Sequence, residues 1–309
     1  MEKIGIRSVK LILGIVLARL LTPEDYGLIG MITVLYVVAN VFIDSGFKLA
    51  YIQNRETNEN QASTIFFFNL IVSITFYVIF WYSAPYIASF YEEPRLIDLI
   101  RVLSLVLIIN SLGIMQLAKL TKEVSFKKKS IIVLVGAILS GLVGIFFALN
   151  GFGVWSLVYQ GISSATFTTL GLWIFYNWRP KLVFRIRSLS PLFAYSSWAL
   201  ITDFFRTFFD NIYFLIIGKF FPAYELGYYT KANQFQGMLT KQFSIAISTV
   251  SFPVYSQLQN DMEKLKNAMR KFNQHSMFVI APLAAIFIAI AEPLFLFLLT
   301  EKWVKMVPY

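Results

Sequence analysis

The sequence predicts an all-α, polytopic membrane protein. Of its 309 residues, 57% are hydrophobic and only 14% are charged, and the mean hydropathy is +0.65. Such a chain carries more apolar surface than a soluble core absorbs. The apolar residues fall into runs close to the ~20 residues that a ~30 Å hydrocarbon layer requires. Basic residues gather in alternate connections between these runs, which is the pattern that membrane topology imposes.

Nine apolar segments follow one another along the chain, and each is predicted to be a transmembrane helix. They cover residues 4–21, 27–51, 62–90, 96–118, 130–149, 152–176, 191–221, 227–255 and 272–299. Connections on one side are basic, as in residues 119–129 and 179–187, and those on the other side are short and acidic or neutral. Because cytoplasmic loops collect Lys and Arg, the N-terminus is predicted to be cytoplasmic. We also expect a fragment, since residues 301–309 look like the start of a further apolar run.

Composition and charge argue against several other classes of protein. The net charge of +10 sits between apolar runs rather than along one face, so topology explains it better than nucleic-acid binding. The absence of cysteine excludes disulfides and thiolate metal sites. No metal cluster, paired catalytic carboxylates, nucleophile with base or phosphate-binding glycine loop is visible in the sequence. We therefore expect neither a cofactor nor an enzyme.

Charged residues at membrane depth indicate where function lies. Asp203, Arg206 and Asp210 follow at spacings of three and four, which places them on one helical face, and Lys241 lies near the middle of the next segment. A charge at the bilayer centre costs about 2.5–3.5 kcal/mol on insertion scales, so such groups face a wet interior or a partner. The helices at 191–221 and 227–255 are therefore predicted to line a polar cavity.

An internal repeat relates the two parts of the chain. Residues 18–27 align with residues 218–227 at a constant offset of 200, and the matched positions include Arg19 with Lys219, Asp25 with Glu225, and Gly27 with Gly227. Six segments separate the copies, so both enter the membrane from the same side. Parallel repeats of this kind form two bundles with the substrate path between them. The predicted bundles are residues 1–178 and 191–309, with a basic cytoplasmic linker at 179–190.

The motifs of these segments resemble a known family. They are Ala18-Arg19-Leu20-Leu21-Thr22-Pro23-Glu24-Asp25-Tyr26-Gly27, Ile217-Gly218-Lys219-Phe220, Glu225-Leu226-Gly227-Tyr228-Tyr229 and Phe252-Pro253-Val254-Tyr255-Ser256-Gln257. They look like the polysaccharide transporters, the Wzx-type oligosaccharide flippases of the multidrug/oligosaccharidyl-lipid/polysaccharide superfamily, and are most similar to colanic and teichuronic acid exporters. The resemblance implies twelve to fourteen transmembrane helices in two bundles, of which this chain would contain nine.

The resemblance also implies a function. It is export of a polyprenyl diphosphate-linked oligosaccharide across the bacterial cytoplasmic membrane by alternating access, for surface polysaccharide biosynthesis. The implied partners are this lipid-linked oligosaccharide, membrane lipids, and the polysaccharide polymerase and chain-length regulator. Such a substrate needs cations for its diphosphate, amide and hydroxyl groups for its glycan, and a lateral opening for its lipid tail.

Two groups of residues are the candidate sites. The cations that could hold the diphosphate are Lys241, Arg206, Lys48, Arg55, Arg19 and Lys219, and the carboxylates that could couple an ion are Asp203, Asp210, Asp44 and Glu292. Each position has a structural alternative. Arg206 could form an ion pair within its helix, Lys48 could pair with Asp44 at a spacing of four, and Arg19 and Lys219 could snorkel to the interface.

Three other functions stay open at this point. A cation-coupled multidrug exporter of the same superfamily predicts an acid-rich cavity. A membrane glycan polymerase would carry a long outer loop, which the short outer connections here do not provide. The third alternative is a scaffold that descends from a flippase and transports nothing.

Overall fold

A computed structural model gives the fold, and it divides into two compact units. It describes residues 2–44, 46–54, 57–185, 189–259 and 261–309, with only the backbone described at 2–4, 190–196, 238–246, 248–250 and 252–253. The first unit runs from Met1 to Gly227 and the second from Tyr228 to Tyr309. The first unit thus includes the segment at 191–221, which the sequence analysis assigned to the second bundle.

The described residues form helices joined by turns and extended connections, and no strand occurs among them. The helices of the first unit are α1 Glu2–Leu20, α2 Pro23–Asp44, α3 Phe47–Gln53, α4 Glu59–Tyr91, α5 Leu96–Leu103, α6 Leu105–Lys122, α7 Phe126–Leu149, α8 Trp155–Phe175 and α9 Ser190–Phe220. Helix α10, Ala223–Gln257, begins in the first unit and continues in the second, which also holds α11, Met262–Leu299, and a 3-10 helix, Glu301–Met306.

Side chains that cap the helices explain where several of them begin. Before α4, the Gln61 backbone N–H donates to Asn58 Oδ1 at 2.8 Å and the Asn58 N–H donates to Gln61 Oε1 at 3.1 Å, which is a capping box. Before α2, the Thr22 N–H donates to Asp25 Oδ2 at 2.8 Å and the Asp25 N–H donates to Thr22 Oγ1 at 3.3 Å. These bonds satisfy backbone donors that a helix start leaves without partners.

Two predicted segments are each divided into two helices. The segment predicted at 27–51 stops at Asp44 and resumes at Phe47, and between them Gly46 has a left-handed φ of 68°. The segment predicted at 96–118 is interrupted at Ser104, whose hydroxyl donates to the Arg101 carbonyl at 3.0 Å. Hydrogen bonds from a serine hydroxyl to its own helix often accompany irregularities of this kind.

The first unit is built around close helix contacts. Helix α7 packs against α1 and α8, α4 packs against α6, and α2 packs against α9. The small residues Gly136 and Gly144 of α7 face α8, where a Cβ would lie 2.6 Å from Thr168 Oγ1 and 3.0 Å from Gln160 Cβ respectively. Small residues let two helices approach this closely, which is how helices associate in lipid.

The apolar helices identify a multi-pass membrane protein. Among the described residues, 5 helical stretches are long and apolar enough to cross a membrane, if α5 and α6 are taken together. They are Pro23–Asp44, Glu59–Tyr91, Leu96–Lys122, Phe126–Leu149 and Met262–Leu299. Large side chains such as Tyr86 and Phe146 are exposed on these helices, as contact with lipid allows. The number of nine crossings stays a prediction.

Candidate functional site

Lys48 and Asp44 lie on either side of the break between α2 and α3. Lys48 Nζ lies 2.9 Å from Asp44 Oδ2, and both side chains are partly exposed. This is the pairing at a spacing of four that the sequence analysis gave as an alternative to substrate binding. Because an ion pair this exposed is weak, the Lys48 ammonium can exchange the Asp44 carboxylate for another anion.

The charged face of α9 is open. Arg206 Nε lies 3.9 Å from Asp210 Oδ2, with 75% and 68% of the two side chains exposed. Asp203 is exposed on the same face, beside the exposed rings of Phe205 and Phe209. An ion pair this long and this exposed contributes little to stability. The guanidinium is therefore accessible to a ligand.

Lys219 has a partner that the sequence analysis missed. Its Nζ lies 2.9 Å from Glu92 Oε1 and 5.3 Å from the centre of the Phe90 ring. The Lys219 ammonium holds the pKa of the Glu92 carboxyl below its ordinary value. Its match in the repeat, Arg19, is exposed near the end of α1.

For the remaining candidate residues, the structure describes at most a position in a helix and its exposure. Arg55 and the side chain of Lys241 lie outside the described residues, although the backbone at Lys241 belongs to α10. Glu292 is exposed on α11 next to Pro293, which lies inside that helix. In the part of the chain that the structure describes, no three His, Cys, Asp or Glu side chains converge as metal ligands would.

The repeated turns themselves meet, and this contact was not predicted. A Cβ added to Gly27 would lie 1.7 Å from the Ala223 carbonyl oxygen, and one added to Gly227 would lie 1.8 Å from the Pro23 carbonyl oxygen. At the offset of 200, Pro23 matches Ala223 and Gly27 matches Gly227, so the contacts are reciprocal. A two-fold relation between two copies requires this arrangement.

Ion pairs join a third turn to the repeated turns. Arg95, after α4, places its Nη2 2.5 Å from Glu24 Oε1 and its Nε 2.7 Å from Glu93 Oε1. Its neighbour Glu92 pairs with Lys219, as described above. We call residues 22–27, 92–95 and 218–227 the turn cluster. Its charged residues were visible in the sequence, but their pairing across some 70 to 130 positions was not.

At the other end of these helices, lysines hold the connection after α3. Lys122 Nζ donates to the Asn54 carbonyl at 2.7 Å, to the Tyr51 carbonyl at 3.2 Å and to the Thr57 hydroxyl. Lys119 is buried, and its Nζ lies 2.5 Å from Glu59 Oε1. Both lysines were predicted only to orient the chain in the membrane, yet they also stabilise the local structure.

Two further features carry polar groups in apolar surroundings. In the second unit Lys231 is 2% exposed. Its Nζ lies 3.3 Å from Gln234 Oε1 and 6.0 Å from the ring centre of the buried Trp303.

In the first unit a cavity of about 360 Å³ lies between α2, α6 and α8. Within it, Asn110 Nδ2 donates to the Tyr36 hydroxyl at 2.9 Å. This pair carries no charge, and an uncharged polar residue in an apolar segment gives no signal of function in the sequence.

Two solved structures share the fold. The lipid II flippase MurJ in an inward closed conformation matches with a TM-score of 0.75 and 13% identity, over 99% of this chain and 69% of that one. An inward-facing multidrug resistance MATE family transporter of the MOP superfamily matches with a TM-score of 0.63 and 18% identity, over 97% of this chain and 74% of that one. At these identities the likeness concerns the fold alone.

Curated relatives cover nearly the whole chain. The succinoglycan biosynthesis transport protein ExoT of Rhizobium meliloti is 24% identical over 98% of this chain and 61% of its own length. The teichuronic acid biosynthesis protein TuaB of Bacillus subtilis is 25% identical over 88% and 57%. The lipopolysaccharide biosynthesis protein WzxC of Escherichia coli is 24% identical over 95% and 60%.

This chain therefore spans about 60% of the length of the curated relatives that it matches. Residues 16–308 match the family described as polysaccharide biosynthesis protein. The resemblance drawn from the motifs at 18–27 and 217–229 is confirmed by this match, and the chain belongs to the polysaccharide biosynthesis protein family.

Proposed function

We propose that this protein moves a polyprenyl diphosphate-linked oligosaccharide from the inner to the outer leaflet of the bacterial cytoplasmic membrane. Transport would occur by alternating access, and no covalent bond would be made or broken. The proposal is supported by the similarity to ExoT, TuaB and WzxC, which are proteins of succinoglycan, teichuronic acid and lipopolysaccharide biosynthesis. It assigns nine membrane crossings to this chain and places the N-terminus in the cytoplasm.

The turn cluster is the observation that carries the mechanism. With the N-terminus cytoplasmic, the turns before α2, after α4 and before α10 lie on the outer side of the membrane. Reciprocal packing of Gly27 and Gly227 brings the two repeat copies into backbone contact there. Transporters that alternate between two openings must close one side while the other is open. The cluster fits the closed outer side.

The substrate explains the accessible cations at the other end of α2 and on α9. Lys48 and Arg206 both hold carboxylates through partly or largely exposed pairs, so a diphosphate could replace the carboxylate at little cost. The proposal adds Lys241 as a third cation and Asp203, Asp210, Asp44 and Glu292 as groups that could couple an ion. A polysaccharide polymerase and a chain-length regulator would act on the exported product.

Export of a cationic drug is less compatible with the cavity between α2, α6 and α8. Its lining includes Tyr36, Asn110, Ser164 and Thr168 but no carboxylate. A cation transferred into an apolar bundle needs a charged or strongly polar partner. The likeness to a MATE transporter concerns the fold alone and does not favour this alternative.

Complementation tests the proposed function. The complete gene product would be expressed with its own glycan gene cluster in a strain that lacks its flippase, and surface polysaccharide would be measured. Lys48→Ala, Arg206→Ala and Lys241→Ala are expected to lower export about tenfold or more, since charge-assisted hydrogen bonds contribute about 1.5–3 kcal/mol each.

Lys127→Ala is the matched control, because Lys127 is an exposed cation at the start of α7. It is expected to leave export unchanged. Export that persists in all three test variants would remove the role of these cations. A wild-type protein that restores no surface polysaccharide would overturn the proposed function itself.

A further inference from the structure

The cavity inside the first unit is lined by polar side chains that carry no charge. It has a volume of about 360 Å³, and its polar lining consists of Thr33, Tyr36, Asn110, Ser164 and Thr168. These side chains are half-buried, so a small molecule can reach them. Polar groups at membrane depth cost free energy unless they are hydrogen-bonded. The cavity therefore favours a ligand that forms hydrogen bonds.

The hydrogen-bonding capacity of the lining is only partly used. Asn110 donates to the Tyr36 hydroxyl at 2.9 Å, and since a phenolic hydroxyl donates as well as accepts, it can form a further hydrogen bond. Thr33 donates to the Ile29 carbonyl at 2.8 Å. Within the described part of the chain, Ser164 and Thr168 show no hydrogen bond from their hydroxyls. Other helical hydroxyls, such as that of Ser140, bond to their own helix.

The backbone of α7 packs closely against one of the lining residues. Gly136 lies against Thr168, where a Cβ would come 2.6 Å from Thr168 Oγ1 and 3.3 Å from the Thr168 backbone nitrogen. Helix α8 can approach α7 this closely only because position 136 has no side chain. The donors and acceptors of α2, α6 and α8 line one cavity.

The chemistry of this space matches a sugar. A volume of 360 Å³ lies at the lower end of the range for small-molecule sites, about 300–1,000 Å³. Hydroxyl and amide groups that both donate and accept suit a ligand with many hydroxyls. A diphosphate is disfavoured, since no Lys or Arg is among the described residues that line the cavity.

We propose that this cavity is a subsite for one neutral sugar ring of the transported glycan, separate from the cations that hold the diphosphate. The inference rests on the proposed function, and it assigns Tyr36, Asn110, Ser164 and Thr168 to sugar recognition. The hydroxyls of the ring would accept from Tyr36, Ser164 and Thr168 and donate to Asn110 Oδ1.

Binding of two probes tests this subsite. The first probe is a polyprenyl diphosphate with a short neutral oligosaccharide, and the second is the same polyprenyl diphosphate without sugar. Binding to the complete protein in nanodiscs would be measured for the wild type, Tyr36→Phe and Thr168→Val. Each change removes one hydroxyl at nearly constant shape, so the sugar-bearing probe is expected to bind about fivefold more weakly. The sugar-free probe is expected to bind as before.

Ser140→Ala is the matched control, because it removes a hydroxyl that is already bonded to the Ala137 carbonyl at 3.1 Å. It is expected to change neither affinity. Unchanged affinity for the sugar-bearing probe in Tyr36→Phe and Thr168→Val would overturn the subsite while leaving the proposed function intact. Failure of both probes to bind the wild type would overturn the proposed function and the subsite together. Retained binding of the sugar-free probe also shows that a variant is folded.

Discussion

Gly27 and Gly227 each let one helix start lie against the backbone of the other. A Cβ at either position would meet a carbonyl oxygen at under 2 Å, closer than any real contact. Backbone atoms cannot rotate away as a flexible side chain can, so the helices would have to separate. The packing within the turn cluster therefore requires glycine at both positions 27 and 227.

Replacement of these glycines is expected to loosen the turn cluster. Gly27→Ala or Gly227→Ala should cost about 1–3 kcal/mol of packing free energy, because neither carbonyl can move alone. A cysteine introduced at Met31, which is 3% exposed, reports the change in a chain without native cysteine. Its labelling by a membrane-impermeant thiol reagent should become faster. Gly5→Ala, whose Cβ would meet nothing within 4 Å, should have no effect.

The Lys219 and Glu92 pair is expected to depend on pH. Because Lys219 lowers the pKa of Glu92, the contact should be complete above the ordinary carboxyl range and lost as the pH falls through the lowered pKa. Because thiol reagents react with the thiolate, the rate is divided at each pH by that of a small free thiol. Labelling of the same cysteine at Met31, expressed as this ratio, should therefore rise in acid. Glu92→Gln should show the faster rate at neutral pH and little further change on acidification. A rate in this variant that equals the wild type at all pH values would contradict the assignment.

Lys122, in the last turn of α6, stabilises α3, the short helix that follows α2. The short helix α3 is fixed at its end by Lys122, which binds the Tyr51 and Asn54 carbonyls. A cation near the last carbonyls of a helix also complements its dipole. Because the helix is interrupted at Gly46, α3 does not continue the hydrogen bonding of α2. The bonds from Lys122 instead attach the end of α3 to α6.

Lys122→Met should therefore destabilise the protein locally. It keeps the length of the side chain and removes the charge, which leaves carbonyls without a donor, at a cost of about 1 kcal/mol. Hydrogen exchange at residues 47–54 should become faster, and the melting temperature should fall slightly. Lys127→Met serves as control because Lys127 is exposed and should change neither measurement.

The helices themselves were largely predictable, whereas their interruptions were not. Hydropathy placed the nine apolar segments within a few residues of described helices in most cases, because it records length and apolarity. It could not show the breaks at Gly46 and Ser104, since both residues lie inside segments whose composition over the length of a span is predominantly apolar. A left-handed φ or a hydroxyl bonded to its own helix is a property of three-dimensional structure.

At the scale of the molecule, the turn cluster is expected to open during each transport cycle. Cysteines at Glu92 and Lys219, joined by a short bifunctional reagent with a reducible link, should stop export. Addition of reductant should restore it. Each single-cysteine variant treated in the same way is the control and should continue to export. Full export by the cross-linked protein would show that these turns do not separate.

The sequence predicted the equivalence of the repeat copies but not their contact. The offset of 200 matched Gly27 with Gly227, yet nothing in one dimension says that matched residues touch. The role of Lys219 was left open for the same reason, because its partner Glu92 lies 127 positions away. The cavity at Tyr36 was missed since neutral hydroxyls in an apolar helix resemble ordinary core residues.

The reciprocal glycines constrain how the two copies can diverge. Each glycine touches main-chain atoms of the opposite copy, which every amino acid has. A second mutation elsewhere in that copy therefore cannot restore the fit after a side chain has appeared at position 27 or 227. The residues that flank the two glycines can diverge during evolution. Positions 27 and 227 must both remain glycine as long as the two repeat copies pack against each other at these turns.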